Sequence, residues 1–380
     1  MEKGRVNVPS SQTERGNCLK VVFRTDSSIK IGTGHVMRCL TLAKALVEKG
    51  AMVQFICRNH EGNLIEEIRQ EGFDVYTLAN SFNGSKGQTE EFSQLAHAAW
   101  LGVSQNQDAK ECQPILERNK PDWLIVDHYA IDMKWQKALK KHYKKLMVID
   151  DLGDRTHLCD LLLDQNYGSK AITYQNRVPA HCKILVGTHY AILRPEFSQW
   201  RDVSLKRREI QTFKTILITL GGIDSQNYTG QLLTELAKTQ LNNKSICLVV
   251  VMGPTAPHRA TIKQQAETMP IKTTVKTNVS NMAELMAFSD LAIGAGGSTT
   301  WERCCMGLPS IHFIIAENQR QIAQALEKDH VIKLINNVEQ LTDLVGTAHR
   351  WIGEVSQQAA KVCDGLGCQR VVDQLLMIES

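Results

Sequence analysis

The chain has 380 residues, 43% of them hydrophobic and 22% charged, the balance of a soluble globular protein with room for two cores rather than one. Its formal net charge of +4 suits an anionic small molecule and falls well short of a nucleic-acid-binding signature. No stretch holds the roughly 18 apolar residues that span a bilayer, and the eleven cysteines contain no C-x-x-C pair, so they read as reduced core thiols of a cytoplasmic protein.

Residues 1–18 form a polar extension without the apolar run of a secretory signal. "LKVVFRTDS" then reads as a buried strand and "HVMRCLTLAKALVEKG" as a helix ending at Gly50. Strand "MVQFICR", helix "LIEEIRQEG" and strand "DVYTL" follow. Residues 80–112, rich in Ser, Asn, Gln and Gly, read as a partly ordered surface insertion with a helix near "EFSQLAHAAWLG". The alternation resumes with "DWLIVDH", a helix through Trp135 and Leu139, and "KLMVIDD", completing an N-terminal α/β domain over 19–200.

The charged segment 201–213 loses the apolar rhythm and reads as a linker. Strands "TILITLGG", "SICLVVVMG", "IKTTVKT", "LAIGAGG" and "PSIHFII", interleaved with helices, predict a second α/β domain over 214–353. A final helix over 354–380 is placed to cross back and brace the first domain. The fold class is therefore α/β, two Rossmann-like domains with a ligand cleft between the carboxyl ends of their sheets.

Two strand ends in the second half carry glycine turns. In "GAGGSTTWERCCMGLPSI", Gly294, Gly296 and Gly297 let bare amides approach a ligand, and Ser298 or Thr299 is placed to cap the helix that follows. The free N–H groups of that helix suit a diphosphate, and Glu302, one turn in, suits ribose hydroxyls. The plainer alternative is a capped helix whose dipole Glu302 answers. In "TLGGIDSQN", Gly221 and Gly222 also end a strand, with Asp224 placed to cap the next helix. Two such turns in one sheet favour a phosphate-bearing ligand. "NVSNMAELM" offers a wall for its base, and Asn318 or Gln319 marks another helix entry. No P-loop occurs, and "GTGHVM" lacks the third glycine of a dinucleotide fingerprint, which argues against NAD.

The first half supplies different chemistry. His35 follows Gly32 and Gly34 at the start of a helix, whose positive end disfavours a protonated imidazole and suits a general base. Asp26 at the end of the first strand is placed to orient the ring, and Arg38 lies one turn on. The alternative is a histidine that hydrogen-bonds locally. "VDHYAID" brings Asp127, His128 and Tyr129 to the same sheet edge, with Tyr129 facing a sugar hydroxyl or phosphate. The carboxylates of "IDDLGDR" read as a turn rather than a metal site, because no ligand spacing supports one. No metal and no cofactor are expected.

The segment "FRTDSSIKIGTGHVMRCLTLAKAL" closely resembles the N-terminal motif of the hydrolases that act on UDP-2,4-diacetamido-2,4,6-trideoxy-β-L-altropyranose in pseudaminic acid biosynthesis. The similarity continues through "IVDHYAID", "CDLLLDQNYG", "HYAILRPEF" and "ITLGGID", over most of residues 19–330. The glycine-rich motif around Ser298 is similar to that of two-domain GT-B glycosyltransferases that use UDP-sugars. The resemblance implies a GT-B fold, a UDP-sugar substrate with UDP mainly on the second domain, and an enzyme of sugar biosynthesis that serves flagellin glycosylation; separately from the resemblance, a cytoplasmic monomer is expected. It implies that His35 activates water against the anomeric carbon with inversion and that Tyr129 serves the sugar side. It further implies that Glu302 holds ribose, that Gly297, Ser298 and Thr299 hold diphosphate, and that the loop at Met282 meets uracil. Asp26, Gly34, Arg38, Gly221, Gly222 and Gly296 complete the expected substrate contacts. The extension and the 80–112 insertion depart from the shorter family pattern. A glycosyltransferase with a UDP-sugar donor, and a non-catalytic nucleotide-sugar binder, are the competing readings.

Overall fold

The computed structural model describes residues 18–80, 95–210, 213–239, 246–254, 256–315 and 317–378. The first sheet contains β1 (Lys20–Thr25), β2 (Met52–Arg58), β3 (Asp74–Leu78), β4 (Trp123–Asp127), β5 (Lys145–Ile149), β6 (Leu161–Asp164) and β7 (Lys183–Val186), ordered β3-β2-β1-β4-β5-β6-β7. The second contains β8 (Thr215–Thr219), β9 (Cys247–Met252), β10 (Lys272–Thr277), β11 (Leu291–Ala295), β12 (Ser310–Phe313) and β13 (Lys333–Ile335), ordered β10-β9-β8-β11-β12-β13. Adjacent strands are parallel in both sheets. Unbroken apolar runs such as Val21–Phe23 and Ile216–Ile218 are buried, as parallel strands covered on both faces require.

Strand order reverses between β1 and β4 and again between β8 and β11. At each reversal the connecting helices leave to opposite faces, which opens a crevice beyond the strand carboxyl ends. The sequences after β1, β4, β8 and β11 therefore set the chemistry. The helix Gly34–Glu48 after β1 is held by Val36, Cys39, Leu40, Ala43 and Leu46, spaced three and four apart and buried on the sheet. Gly50, at φ 87°, ends it. Truncating the fully buried Leu42 to Ala costs about 2–5 kcal/mol by cavity formation.

Three readings of the sequence are corrected. Most of the charged stretch taken as a linker at 201–213 is helix, Pro195–Arg208. Its apolar rhythm is weak because its arginines reach across to carbonyls. Arg201 donates to the Cys305, Cys363 and Ala360 oxygens, and Arg208 to those of Met306, Ser289 and Met286.

The stretch taken as a surface insertion at 80–112 packs one face into the first domain, through Leu101, Asp108, Ala109 and Cys112. Residues 81–94, and with them the start of the helix expected at "EFSQLAHAAWLG", lie outside the described residues. Ala98–Leu101 is a short helical turn, and Gln105–Asn119 is a helix turning Asp108, Ala109, Cys112 and Leu116 inward. The polar residues between those positions face water and make the segment look like a loop.

The single C-terminal helix is two, Ile352–Val362 and Gly367–Met377, broken near Gly365 at φ 83°. Val371, Val372 and Leu375 of the last helix join Phe23 and Leu42 in the first core. Residues 1–17 of the polar extension lie outside the described residues. The eleven cysteines are all free thiols, and no helix among the described residues is long and apolar enough to cross a membrane.

Candidate active site

On the first sheet the site begins with the loop after β1. Ser28 Oγ accepts from the Ile31 and Lys30 amides at 2.9 and 3.2 Å, folding the chain tightly before the helix. His35 is the second residue of that helix. Its Nδ1 lies 2.6 Å from Oδ1 of Asp127, the last residue of β4, which pairs in register with Thr25 of β1. Arg38, one turn after His35, holds the same carboxylate twice, Nε to Oδ2 at 2.6 Å and Nη2 to Oδ1 at 2.7 Å.

Burial alone raises the pKa of Asp127, but the charges of Arg38 and His35 outweigh it and hold the carboxyl below its ordinary range. An ionised Asp127 fixes the proton on Nδ1 of His35. Arg38 Nη2 is also 3.3 Å from Nδ1, but both are donors there and the shorter carboxylate contact decides the tautomer. Nε2 is left with a free lone pair, and His35 lines the cleft.

The remaining Arg38 group donates to Asp151 Oδ2 at 2.9 Å, and the Tyr129 hydroxyl donates to Asp151 Oδ1. Burial and then Asp151 push the Tyr129 phenol well above its usual value, so it is a neutral donor. The Tyr129 ring stands edge-on to His35 at 4.6 Å and stacks on Trp100 at 5.6 Å. His97 lies 4.4 Å from Trp100, centroid to centroid, and burial lowers its pKa.

The second sheet faces this group. After β11 the chain turns at Gly297, φ 107°, and enters the helix Ser298–Cys305. Gly297 occupies the cap position and no side chain caps the helix, so Ser298 and Thr299 do not fill the capping role expected of them. Their amides stay free. After β8, Asp224 does accept from the Tyr228 and Thr229 amides at 2.9 Å, and Asn227 supplies the formal cap. Glu302 lies 3.7 Å from Arg194, and burial pushes its pKa up to about 7.

A 210 Å³ cavity joins the two walls, with His35, Arg38, Tyr129 and Trp100 on one side and Gly296, Gly297 and Ser298 on the other. It continues, past Gly34, which lines both, into a 530 Å³ cleft that adds Gly221, Gly222, Met282, Thr299 and Glu302. All expected site residues but one thus border a single interdomain cleft.

The exception is Asp26. It is fully buried and does not orient His35. Its Oδ1 accepts from Arg24 Nη1 and the Arg58 amide, both at 2.7 Å, and its Oδ2 faces His128 Nε2 at 3.2 Å. Arg24 and Asp26 share one face of the strand, toward Asp108, to which Arg24 is also paired at 2.7 Å. His128 is likewise turned inward to Asp26 and away from the cleft. The carboxylates of "IDDLGDR" diverge: Asp150 pairs with Arg155 and His157, Asp154 with Arg155, and Asp151 alone enters the cavity. No cluster of metal-ligating side chains occurs among the described residues.

Sequence reasoning missed the Asp127–His35 pair, although "VDHYAID" contains its carboxylate. It also missed Trp100, hidden in the supposed insertion.

Residues 215–350 match the glycosyltransferase family 28 C-terminal domain. MurG of Acinetobacter baumannii superposes with a TM-score of 0.65 at 14% identity, over 94% of this chain and 99% of its own. With the two parallel sheets, that likeness makes the fold GT-B. The UDP-2,4-diacetamido-2,4,6-trideoxy-β-L-altropyranose hydrolase of Campylobacter jejuni is 33% identical over 224 residues, 59% of this chain and 68% of its own. This chain belongs to that hydrolase family. The spore coat polysaccharide biosynthesis protein SpsG of Bacillus subtilis is 27% identical over 215 residues, 55% of this chain and 60% of its own. In this member of the altropyranose hydrolase family, the histidine wall and the glycine wall come from the switch points of two separate sheets.

Proposed function

We propose that this protein hydrolyses a UDP-linked diacetamido-trideoxy sugar to UDP and the free sugar, a step in pseudaminic acid biosynthesis. The observation that carries the reading is the Asp127–His35 pair, placed across one cavity from the glycine turn Gly296–Ser298 at the start of a helix. Bound UDP would lie along the glycine wall, with its diphosphate at the helix start, its ribose at Glu302 and its uracil by Met282. The sugar would then project into the cavity against His35 and Tyr129.

Nε2 of His35 takes a proton from water as the water oxygen bonds to the anomeric carbon. The bond from that carbon to the β-phosphate oxygen breaks on the opposite face, and its electron pair leaves with UDP. Attack from one face and departure from the other inverts the anomeric configuration. Ionised Asp127 stabilises the imidazolium that forms, and the helix amides stabilise the charge growing on UDP.

A pure nucleotide-sugar binder has no use for this oriented base, and a glycosyltransferase needs an acceptor hydroxyl in place of water. The deciding experiment incubates the purified protein with a panel of UDP-linked diacetamido sugars, without acceptor, and follows UDP and free sugar by NMR. Release of both in equal amounts, with the inverted anomer appearing first, is expected. His35→Ala is expected to abolish turnover while leaving UDP affinity nearly unchanged. Turnover retained in that variant, or UDP released only when an acceptor is added, overturns the reading.

A further inference from the structure

Arg303 is a buried charge in the second domain that the chemistry above does not use. It lies on the helix Ser298–Cys305, fully buried, and no carboxylate pairs with it within salt-bridge distance among the described residues. A guanidinium carries five N–H donors. Only Nη2 is used, donating to the Ala295 carbonyl at 2.6 Å and to His312 Nε2 at 3.1 Å, with Thr300 Oγ1 at 3.4 Å. Nε and Nη1 are buried without any partner. Burial lowers the Arg303 pKa to about 10, and the adjacent Glu302, pushed up to about 7, is an incomplete counter-charge at neutral pH.

The sequence makes a second concession to keep this side chain. A Cβ at Gly294, inside β11, would come within 2.2 Å of Nη1 and 2.6 Å of the Thr219 carbonyl. A strand residue has been reduced to glycine where the guanidinium lies against the backbone. An unpaired buried charge lowers stability and does nothing for the core. Its location gives it a use. Ala295, whose carbonyl it grips, leads directly into Gly296 and Gly297, and His312 and Thr300, which it also touches, line the 210 Å³ cavity.

We propose that Arg303 is the buried counter-charge for the diphosphate of the bound nucleotide, acting from beneath the glycine turn without touching the ligand. The assignment rests on the UDP-sugar reading of the cleft. In the free protein the positive charge has no directly paired carboxylate among the described residues and is only partly answered by Glu302. Binding of an anionic diphosphate on the other side of the turn compensates it, and the grip on the Ala295 carbonyl fixes the strand end that leads into the glycine turn. Arg303 is thus a positioning residue whose charge favours ligands carrying phosphate over those that do not.

The test compares UDP and uridine binding by calorimetry, with thermal melting of the unliganded protein, for the wild type, Arg303→Met and Arg303→Lys. Methionine fills similar space without charge, and lysine keeps the charge. Arg303→Met is expected to lose ~10–100-fold in UDP affinity, uridine affinity staying within ~2-fold and the free protein melting no lower than wild type. Arg303→Lys is expected to keep UDP affinity within ~5-fold. Equal losses for UDP and uridine make Arg303 a structural prop and overturn the proposal, as does a lysine variant as weak as the methionine one. If Arg303→Met does not fold, the ratio of UDP to uridine affinity in Arg303→Lys decides alone: unchanged supports the charge role, and a fall of more than ~10-fold overturns it. A wild-type protein that binds uridine and UDP equally also overturns the role of Arg303. One that binds neither removes the nucleotide reading itself.

Discussion

Arg38 holds Asp127 by two hydrogen bonds, at 2.6 and 2.7 Å, while His35 holds it by one, at 2.6 Å. The carboxylate is therefore neutralised by a permanent cation before it meets the imidazole. Arg38 is in turn balanced by Asp151, 2.9 Å away, and Asp151 receives the Tyr129 hydroxyl. The chain Tyr129–Asp151–Arg38–Asp127–His35 fixes the base from three separate elements and leaves Nε2 free.

Replacing Asp127 by Asn tests that chain. An amide in this position can donate to Nδ1 and favour the tautomer with its proton on Nε2, which cannot accept one from water. The expected loss in kcat for UDP release is ~10²–10⁴-fold, with UDP affinity little changed. Circular dichroism and melting curves check that the variant, which strands Arg38, remains folded. A folded variant with kcat within a few-fold of wild type removes Asp127 from the mechanism.

Trp100 gives a second prediction. It borders the cavity beside His35 and stacks on Tyr129 at 5.6 Å, yet lies far from the glycine wall in the chain. Trp100→Ala opens the sugar side of the cavity and releases the Tyr129 ring. We expect kcat/KM for the UDP-sugar to fall at least ~10-fold, with Trp100→Phe recovering part of it. UDP, measured as a product inhibitor, is expected to bind unchanged. Equal weakening of UDP and UDP-sugar argues for a general loss of packing instead.

Glu302 predicts a pH dependence. Its carboxyl, pushed by burial up to about 7, must be ionised to accept two ribose hydroxyls. Nucleoside binding therefore favours the deprotonated form, and affinity is lost as pH falls below about 7. Uridine is the clean probe because it has no phosphate that titrates in this range. Between pH 8 and 5.5 the affinity of wild type is expected to fall by about thirtyfold, and the slope is expected to vanish in Glu302→Gln. A wild-type profile flat over that range shows that Glu302 does not serve the ribose.

The repeated strand–helix rhythm made both sheets readable from the sequence, because central parallel strands are continuous apolar runs such as "VVF" and "ILIT". The short strands β6, β7 and β13 were not picked out by periodicity, having only three or four residues each. His35 and the glycines of the second domain were legible because helix starts and strand ends are local features. The partner of His35 was assigned to Asp26 on nearness in sequence, whereas the true partner, Asp127, lies 92 residues away and reaches it through the β1–β4 pairing. Trp100 was hidden for the opposite reason, since its polar neighbours described a surface and only the fold shows what the segment covers.

Asp164 carries the last prediction, on stability. It ends β6, and its carboxylate accepts from the Asn166 amide at 3.0 Å, Ser169 Oγ at 2.6 Å and the Tyr174 hydroxyl at 3.0 Å. Burial raises its pKa to about 6 despite these bonds, with the charge of Asp151 adding to the rise. The folded state therefore holds this proton more tightly than the unfolded chain, whose carboxyl titrates near 3.8. The contribution is fully present below pH 4, declines as pH rises toward 6, and is absent above. A shift of about two units corresponds to about 2–3 kcal/mol. Asn keeps an acceptor for the Asn166 amide and a donor for Ser169 while removing the charge. Asp164→Asn is accordingly expected to gain up to about 2–3 kcal/mol relative to wild type at pH 7.5, less any cost of turning the Tyr174 hydroxyl. The difference between the two proteins in urea-unfolding free energy is expected to shrink steadily from pH 6 to pH 4. A difference independent of pH over that range shows that Asp164 stays ionised in the folded protein.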